Sequence, residues 1–455
     1  MNKTFRDWNV DQVWLLPPSV QELVPAGHPA HFVRELVRES LDLTAILSVY
    51  TEERGQPPYH PVMMTALLLY AYSQGVYSSR KIARACETRV DFMAVTAMEK
   101  PDFRTISDFR KRHLKALKGL FVQVLRLCRR AGMVRLGHVA LDGTKIQANA
   151  SKHKSMSYQR MKEAETRLKG EVEGWLKRAA DEDTRDDAEH GCDRRGDEMP
   201  DWVALKEQRL AKIREAMAAL EAEAAAENES KKAGSDKDDS GGGEPPRTEL
   251  DKPTSTRPYG RNAPRDGTPH PKAQRNFTDP ESKILKTSDG YVQGYNAQLA
   301  VDAHAQVIVA CGVVNAQNDA PVLIPMLERI RGTLGHNPDE ISADSGFLSD
   351  KNLASLAKRR QRAYIATGRM VHGGPAPTPR LKHSKRIAAM RTRLARGSFR
   401  SRYRLRKQLV EPVIGQIKEG RGFRRFLLRG IEKVAGEWAL LCTAHNLTKL
   451  AAAIA

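Results

Sequence analysis

Three carboxylates stand where an unpaired charge would be expensive. Asp142 lies inside the apolar run GHVALDGTKIQANA, Asp344 ends the run EISAD before SGF, and Glu411 is isolated within RSRYRLRKQLVEPVIGQIKEGRGFRRF. Each borders apolar residues, so each needs a neutralising partner. Oxygen ligands that converge without Cys or His suit Mg2+ or Mn2+, which keep positions open for water and phosphate. Two such ions about 3.5 to 4 Å apart would activate an attacking oxygen and stabilise a leaving one in an in-line displacement. Taken singly, each acid has a blander reading. Asp142 could be a turn residue before Gly143, Asp344 a cap before Ser345 and Gly346, and Glu411 the ion-pair partner of Arg404 or Lys407. Their joint placement on a first strand, a fourth strand and a terminal basic helix favours one shared centre.

The chain has 455 residues and a formal charge of +20. Between Lys358 and Arg429 there are 22 Lys and Arg against two acids, Glu411 and Glu419, while the remainder is balanced at 53 of each sign. The whole excess therefore belongs to one C-terminal segment, interleaved with Tyr364, Phe399, Tyr403, Phe423 and Phe426. Charge density of this kind favours a polyanion, nucleic acid first. No apolar run approaches the roughly 20 residues of a membrane span, and MNKTFRDWNVDQV has no signal-peptide core. Cys86, Cys128, Cys192, Cys311 and Cys442 are scattered and form no CxxC pair, as expected of an intracellular chain with inert thiols.

The elements that must position the acids follow from periodicity and punctuation. Residues 1–136 read as a helical N-terminal domain, with Ile82, Cys86, Val90 and Met93 at helical spacing and Leu114, Leu117, Leu120, Val124 and Leu127 on one face. SSRKIARAC ahead of TISDFRKRH resembles a DNA-binding helix-turn-helix, or else two helices of an ordinary bundle. Residues 137–154 hold the first strand of a catalytic core. Residues 155–227 read as an antiparallel helical hairpin turning at TRDDAEHGCDRRGDEMP, and 228–274, rich in Gly, Pro, Ser, Asp and Lys, as a disordered linker. Residues 275–455 complete the core. YNAQLAVDA and QVIVACGVV form a hairpin about AHA, DAPVLIPMLERIRGTLG is a helix, DEISADSGF a strand entering a turn, SDKNLASLAKRR a helix and RAYIAT a last strand. This alternation predicts an α/β core with both faces covered, interrupted after its first strand. Pro412, which lacks an N–H, predicts that the last basic helix restarts or kinks at Glu411.

Taken together, LDGTKIQANAS, NFTDPESKILKT with GYNAQLAVD, ADSGF and YRLRKQLVEPVIGQIKEGRGFRRF closely resemble the DDE transposases of bacterial insertion sequences. The fit is closest to the insertion-sequence group numbered 1182 and extends over nearly the whole chain. The resemblance implies an RNase H-like mixed-sheet catalytic core with a helical insertion and an all-α N-terminal domain. It implies Asp142, Asp344 and Glu411 as the catalytic, metal-binding triad, with Mg2+ or Mn2+ as two ions per site. The family's Tyr-Arg-Glu-Lys signature falls on Tyr403, Arg406, Glu411 and Lys418. The family leaves three residues between Arg and Glu, a spacing that Lys407 has and Arg406 misses by one.

The activity so implied is hydrolysis of one strand at the element's terminal inverted repeat, followed by attack of the freed 3′-hydroxyl on target DNA. Partners would be double-stranded DNA and a second copy of the chain, in the bacterial cytoplasm at the nucleoid. Three other functions compete. One is an RNase H-like nuclease or resolvase that cuts without joining, another a catalytically silent DNA-binding repressor. A carboxylate-pair glycosidase is disfavoured, because neutral glycans have no use for the basic segment.

Overall fold

His-Pro pairs open two of the N-terminal helices. His28 and His60 each accept, through the side chain, the backbone N–H two residues on, and the proline that follows each occupies a first-turn position where its missing N–H is no loss. The computed structural model describes residues 19–51, 57–190, 201–235, 268–287, 290–368, 384–397, 404 and 406–454. Described residues up to Val124, together with those from Thr443, form one compact unit, and Leu125–Cys442 form another.

The first unit begins with α1 (Pro29–Glu39), α2 (Thr44–Leu47), α3 (Pro61–Ser73), α4 (Ser79–Thr88), α5 (Val90–Thr96) and α6 (Phe103–Arg112), and α7 (Leu114–Arg130) follows. In α3, Leu67, Leu68, Leu69, Tyr70, Ala71 and Tyr72 are all fully buried, the signature of a helix enclosed on every side. The run from Ile82 to Met93 is not one helix. Arg89 is extended, the chain restarts as α5, and Val90 is exposed. A consequence is that α4 and α6, although packed together, are separated by α5 rather than by a short turn. Arg110 of α6 is also buried, donating to the Tyr72 hydroxyl, the Tyr77 carbonyl and Ser79, so it clamps the bundle instead of facing a groove. In α7 the buried stripe is Leu117, Leu120, Phe121, Val124, Leu125 and Cys128, with Leu127 only half-buried.

The second unit is organised on a mixed sheet. Its strands are β1 (His138–Gln147), β4 (Lys283–Thr287), β5 (Gly290–Asp302), β6 (Ile308–Val314), β7 (Glu340–Ala343) and β8 (Arg362–Ile365), and a separate two-stranded ribbon pairs β2 (Ser155–Ser157) with β3 (Gln274–Asn276). β1 lies between β5, antiparallel, and β7, parallel, and β8 extends the parallel side. The thirteen-residue β5 has its other edge shared, β4 pairing its first part and β6 its second. β6 is buried at every position, as expected of a strand covered on both faces. Helices α10 (Leu323–Leu334) and α11 (Asp350–Lys358) make the crossovers to β7 and β8.

The insertion between β1 and β5 enters and leaves through the β2–β3 ribbon. It carries α8 (Tyr158–His190) and α9 (Asp201–Ser235), which reach further than the sequence pattern suggests, into the expected turn and past residue 227. Contacts Tyr158–Glu221, Glu165–Arg214 and Glu171–Lys206 descend on one helix as they rise on the other, so the pair is antiparallel. Met161, Leu168, Ile213, Met217 and Leu220 give it a core of its own. Residues 191–200 and 236–267, the remainder of the expected turn and linker, lie outside the described residues.

The C-terminal helices are α12 (Lys385–Gly397), α13 (Arg406–Gly415) and α14 (Ile431–Ile454), with a π turn at Gln416–Gly420. α13 does not restart at Glu411. Pro412 sits within it, and the Gln408 carbonyl that loses its helical partner accepts from the Gln306 amide at 3.2 Å instead. Among the described residues, the aromatics of the basic segment are core rather than stacking surface. Phe423 and Phe426 are buried, edge-to-face with each other at 5.5 Å, and Phe426 meets Tyr295 at 6.0 Å. Tyr364 is buried in β8, while Phe399 and Tyr403 lie outside the described residues. Cys86, Cys128, Cys311 and Cys442 are buried thiols outside any disulfide.

Candidate active site

β1 can hold an aspartate because its parallel neighbour ends beside it. Leu141 pairs with Ala343, the last residue of β7, so Asp142 and Asp344 are each the next residue along adjacent parallel strands. The carboxyl ends of parallel strands are where sheets of this kind open to ligands. Asp142 Oδ1 accepts the Gly143 N–H at 2.9 Å, and its Oδ2 lies 3.1 Å from Nη1 of Arg406, the first residue of α13. Asp344 caps a 3-10 turn at Ser345–Phe347, accepting the Gly346 N–H at 2.9 Å.

Burial disfavours the charged form of both acids. Burial pushes the Asp142 carboxyl up to about 6, Arg406 opposing the shift and the Asp344 charge adding to it. Asp344 is likewise raised, first by burial and then by Asp319. Two hard oxygen donors that resist ionisation side by side fit a divalent cation.

Of the other expected residues, Arg406 is brought to Asp142 and Lys407 is exposed. Lys418, in the π turn, donates to the Lys145 carbonyl of β1 at 3.0 Å, and burial lowers its ammonium below the ordinary value. π turns inside helices are frequent at functional sites. Glu411 is not brought in. It is exposed on α13, with no hydrogen bond or ion pair among the described residues. Nor do any three His, Cys, Asp or Glu side chains among the described residues form a metal-holding group.

Four residues at the site were not singled out in the sequence. Asp319 Oδ1 accepts from Asn296 at 2.6 Å and from Gln298 at 2.7 Å, and stands 3.7 Å from Lys145 Nζ. Lys145, at alternate spacing along β1 from Gly143, offered the only local signal; Asn296, Gln298 and Asp319 meet through tertiary folding. The NFTDPES segment, in contrast, is structural. Asp279 accepts from Tyr295 and from the Gly430 N–H, and Glu281 accepts the Ile431 N–H, so the pair caps the start of α14. Buried Glu437 takes the N–H groups of Leu427 and Leu428. A line of Glu340, His138 and Ser342 at 2.8 and 3.0 Å has the residue types of an acyl-transfer triad, but Ser342 is fully buried and no substrate reaches it.

A basic rim continues from this site along β1. Segment 424–426 hydrogen-bonds to Gln147, about 17 Å beyond Asp142 at a strand's rise of ~3.4 Å per residue. Arg424, Arg425 and Arg429 are exposed, Arg425 reaching Gln147 and Arg429 donating to the Asn149 carbonyl. Lys152 and Lys154 are exposed in the loop that follows β1. No helix among the described residues is long and apolar enough to cross a membrane.

Comparison with known families places two segments. Residues 18–112 match the family described as transposase domain (DUF772), and residues 377–451, which include Arg406, Glu411 and Lys418, match the transposase DDE domain. No curated protein and no solved structure matches the chain. Each of these two segments thus resembles a transposase domain, the second one a DDE domain.

Proposed function

We propose that this protein cleaves DNA at the terminal inverted repeats of an insertion sequence of the group numbered 1182 and joins the freed ends to target DNA. The observation that carries this reading is the placement of Asp142 and Asp344 one residue beyond the Leu141–Ala343 pair, where the parallel ladder of β1 and β7 stops, with Arg406 facing Asp142 from the helix that also bears Glu411. The sheet order β6-β5-β1-β7-β8, antiparallel on one side of β1 and parallel on the other, supports an RNase H-like core.

Asp142, Asp344 and Glu411 act as ligands of Mg2+ or Mn2+, two ions per site, and not as proton shuttles. When bound, the cation supplies positive charge to the attacking oxygen and to the phosphate being displaced. Arg406 and Lys418, with Lys407 and Tyr403, hold the flanking phosphates, and the exposed arginines at 424, 425 and 429 track the duplex beyond them. Water first opens one phosphodiester and leaves a 3′-hydroxyl. That hydroxyl then attacks a target phosphodiester and expels the adjoining 3′-oxygen, so no covalent protein intermediate forms. Glu411 enters the centre when α13 turns on its Pro412 interruption. Two ends must be cut and joined together, which calls for two copies of the chain on DNA, with the N-terminal helical unit contributing to end binding. The proposed setting is the bacterial cytoplasm at the nucleoid.

The test is to incubate the purified chain with Mg2+ and a duplex carrying the ends of its own flanking element. Asp142→Asn, Asp344→Asn and Glu411→Gln should each abolish nicking while DNA binding persists. Pre-cleaved ends should still be joined by the wild type, and failure of joining alone would leave a nuclease. Unchanged nicking in all three variants would refute the proposal.

A further inference from the structure

We propose that Asp319 is a cation ligand, forming with Asp344 a second divalent-ion position beside the one shared by Asp142 and Asp344. The inference deepens the proposed function and rests on its divalent-ion centre.

Asp319 follows β6 and precedes a short 3-10 turn at Ala320–Val322. Its Oδ1 is committed to Asn296 and Gln298, with Lys145 Nζ at 3.7 Å. Two amide donors and a nearby ammonium on one oxygen fix the carboxylate and leave the other oxygen on the side of Asp344. A Cβ placed on Gly346 would lie 2.8 Å from Asp319 Oδ2 and 3.1 Å from Asp344 Oδ1. One point so near both oxygens limits their separation to less than about 6 Å, against ~4 Å across a single Mg2+. A modest side-chain adjustment closes that difference.

The amides that hold Asp319 give an independent sign of a missing cation. Asn296 and Gln298 are fully buried, and Asn296 Oδ1 and Gln298 Oε1 have no hydrogen-bond partner. Asn296 Oδ1 faces the same space as Asp319 Oδ1, at 3.0 and 2.9 Å from where a Cβ on Gly143 would stand. Acceptors left without donors beside two carboxylates describe a pocket rich in hard oxygen, against which the Lys145 ammonium is set 3.7 Å from Asp319 Oδ1. Two glycines keep it open, since alanine at 143 or 346 would intrude on Asp319. Gly143 and Asp142 are consecutive on β1 and face opposite sides of the sheet, so Asp319 and Asp142 approach Asp344 from different sides. Asp344 is then the ligand common to two positions, and Asp319 holds the second before Glu411 is engaged.

The decisive experiment measures Mn2+ binding to the metal-free full chain, without DNA, by electron paramagnetic resonance and calorimetry. Wild type should take up two ions. Asp319→Asn, which keeps the shape and can still accept from both amides, should lose one ion or at least tenfold in its affinity, with an unchanged melting temperature. Asp142→Asn should lose the other, and Asp344→Asn should weaken both. If Asp319→Asn binds two ions as wild type does while the other two variants do not, this inference is wrong and the centre stands. If wild type binds no Mn2+, or the variants at 142 and 344 bind it normally, the centre itself is refuted. Should Asp319→Asn not fold, wild-type crystals grown with Mn2+ decide by anomalous scattering. A peak bonded to Asp319 supports the assignment, and peaks confined to Asp142 and Asp344 overturn it.

Discussion

Asp142→Asn should stabilise the metal-free protein at neutral pH and leave it unchanged in acid. In the folded chain the Asp142 carboxyl is raised from 3.8 to about 6, so the native state holds its proton more tightly than the unfolded chain. Below pH 3.8 both states are protonated and the aspartate behaves like asparagine. Between 3.8 and about 6 the unfolded chain ionises while the folded one does not, and wild-type stability falls as pH rises. Above about 6 the loss is complete. At about 1.4 kcal/mol per pH unit it amounts to roughly 3 kcal/mol. The side chain is only 18% exposed, so solvent screening removes little of this, and Arg406 already opposes the shift.

Urea unfolding in EDTA at pH 4 and pH 7.5 measures the difference. Trp438 is buried and donates to the Gln298 carbonyl, which makes its fluorescence a reporter of the sheet. The variant should gain about 2 to 3 kcal/mol at pH 7.5 and only about 0.5 kcal/mol at pH 4. Mg2+ at a hundred times its dissociation constant should return about 2.7 kcal/mol to wild type and much less to the variant. A variant no more stable than wild type at pH 7.5 would show that Arg406 neutralises Asp142 by itself. The charge deficit that calls for a cation would then be absent.

Phe426→Ala should cost about 3 to 5 kcal/mol in the same unfolding measurement, because it empties a buried site packed on Tyr295 and Phe423. A stable variant with weakened DNA binding would restore the aromatic to the interface. Replacing Arg424, Arg425 and Arg429 by Gln should flatten the slope of log affinity against log salt by up to about 2.7, with stability changed by no more than about 0.5 kcal/mol. An unaltered slope would remove the basic rim from the DNA path. Gly143→Ala places a Cβ 2.5 Å from Gln298 Nε2 and 2.9 Å from Asp319 Oδ1, and should destabilise the chain by about 1 to 3 kcal/mol. Wild-type stability in that variant would mean that the Asp319 cluster is loose enough to move aside.

What the sequence reveals here depends on whether a signal is local. The β1–β7 adjacency is accessible because each strand is a short β-branched or apolar run with an out-of-place aspartate, inside β1 and just after β7, and the alternation of strands and helices orders the sheet. Helical phase was not accessible to the same degree. Ile82, Cys86, Val90 and Met93 keep helical spacing across a real break, since an extended Arg89 leaves no mark in apolar periodicity. The FRRF spacing of Phe423 and Phe426 suits aromatics facing bases as well as aromatics facing a core, and only Tyr295, more than 120 positions earlier, decides between them. Asp319 is the extreme case. In NAQNDAP it has the composition of a turn, and its role depends on Asn296, Gln298 and Lys145 arriving from two other strands.

The separation of Glu411 from the two aspartates has an electrostatic cause. Two carboxylates 4 Å apart repel by about 4 kcal/mol at an effective dielectric constant of 20, and a third would meet that repulsion twice. Asp142 and Asp344 already resist ionisation, with Arg406 the cationic side chain at hydrogen-bonding distance from Asp142 among the described residues. Without further positive charge, the lowest-energy place for a third acid is in solvent, where Glu411 is. Its helix is also weakly tied at that point, having exchanged a backbone hydrogen bond at Pro412 for a 3.2 Å contact from Gln306 and passing into a π turn within a few residues. In the proposed function, cation and phosphate backbone together would reverse the balance, since each would add attraction for this segment: the Glu411 carboxylate to the ion, Arg406 and Lys418 to the DNA. Under the proposed function, a centre built this way would assemble fully only on its substrate, and DNA that the protein merely touches would be left uncut.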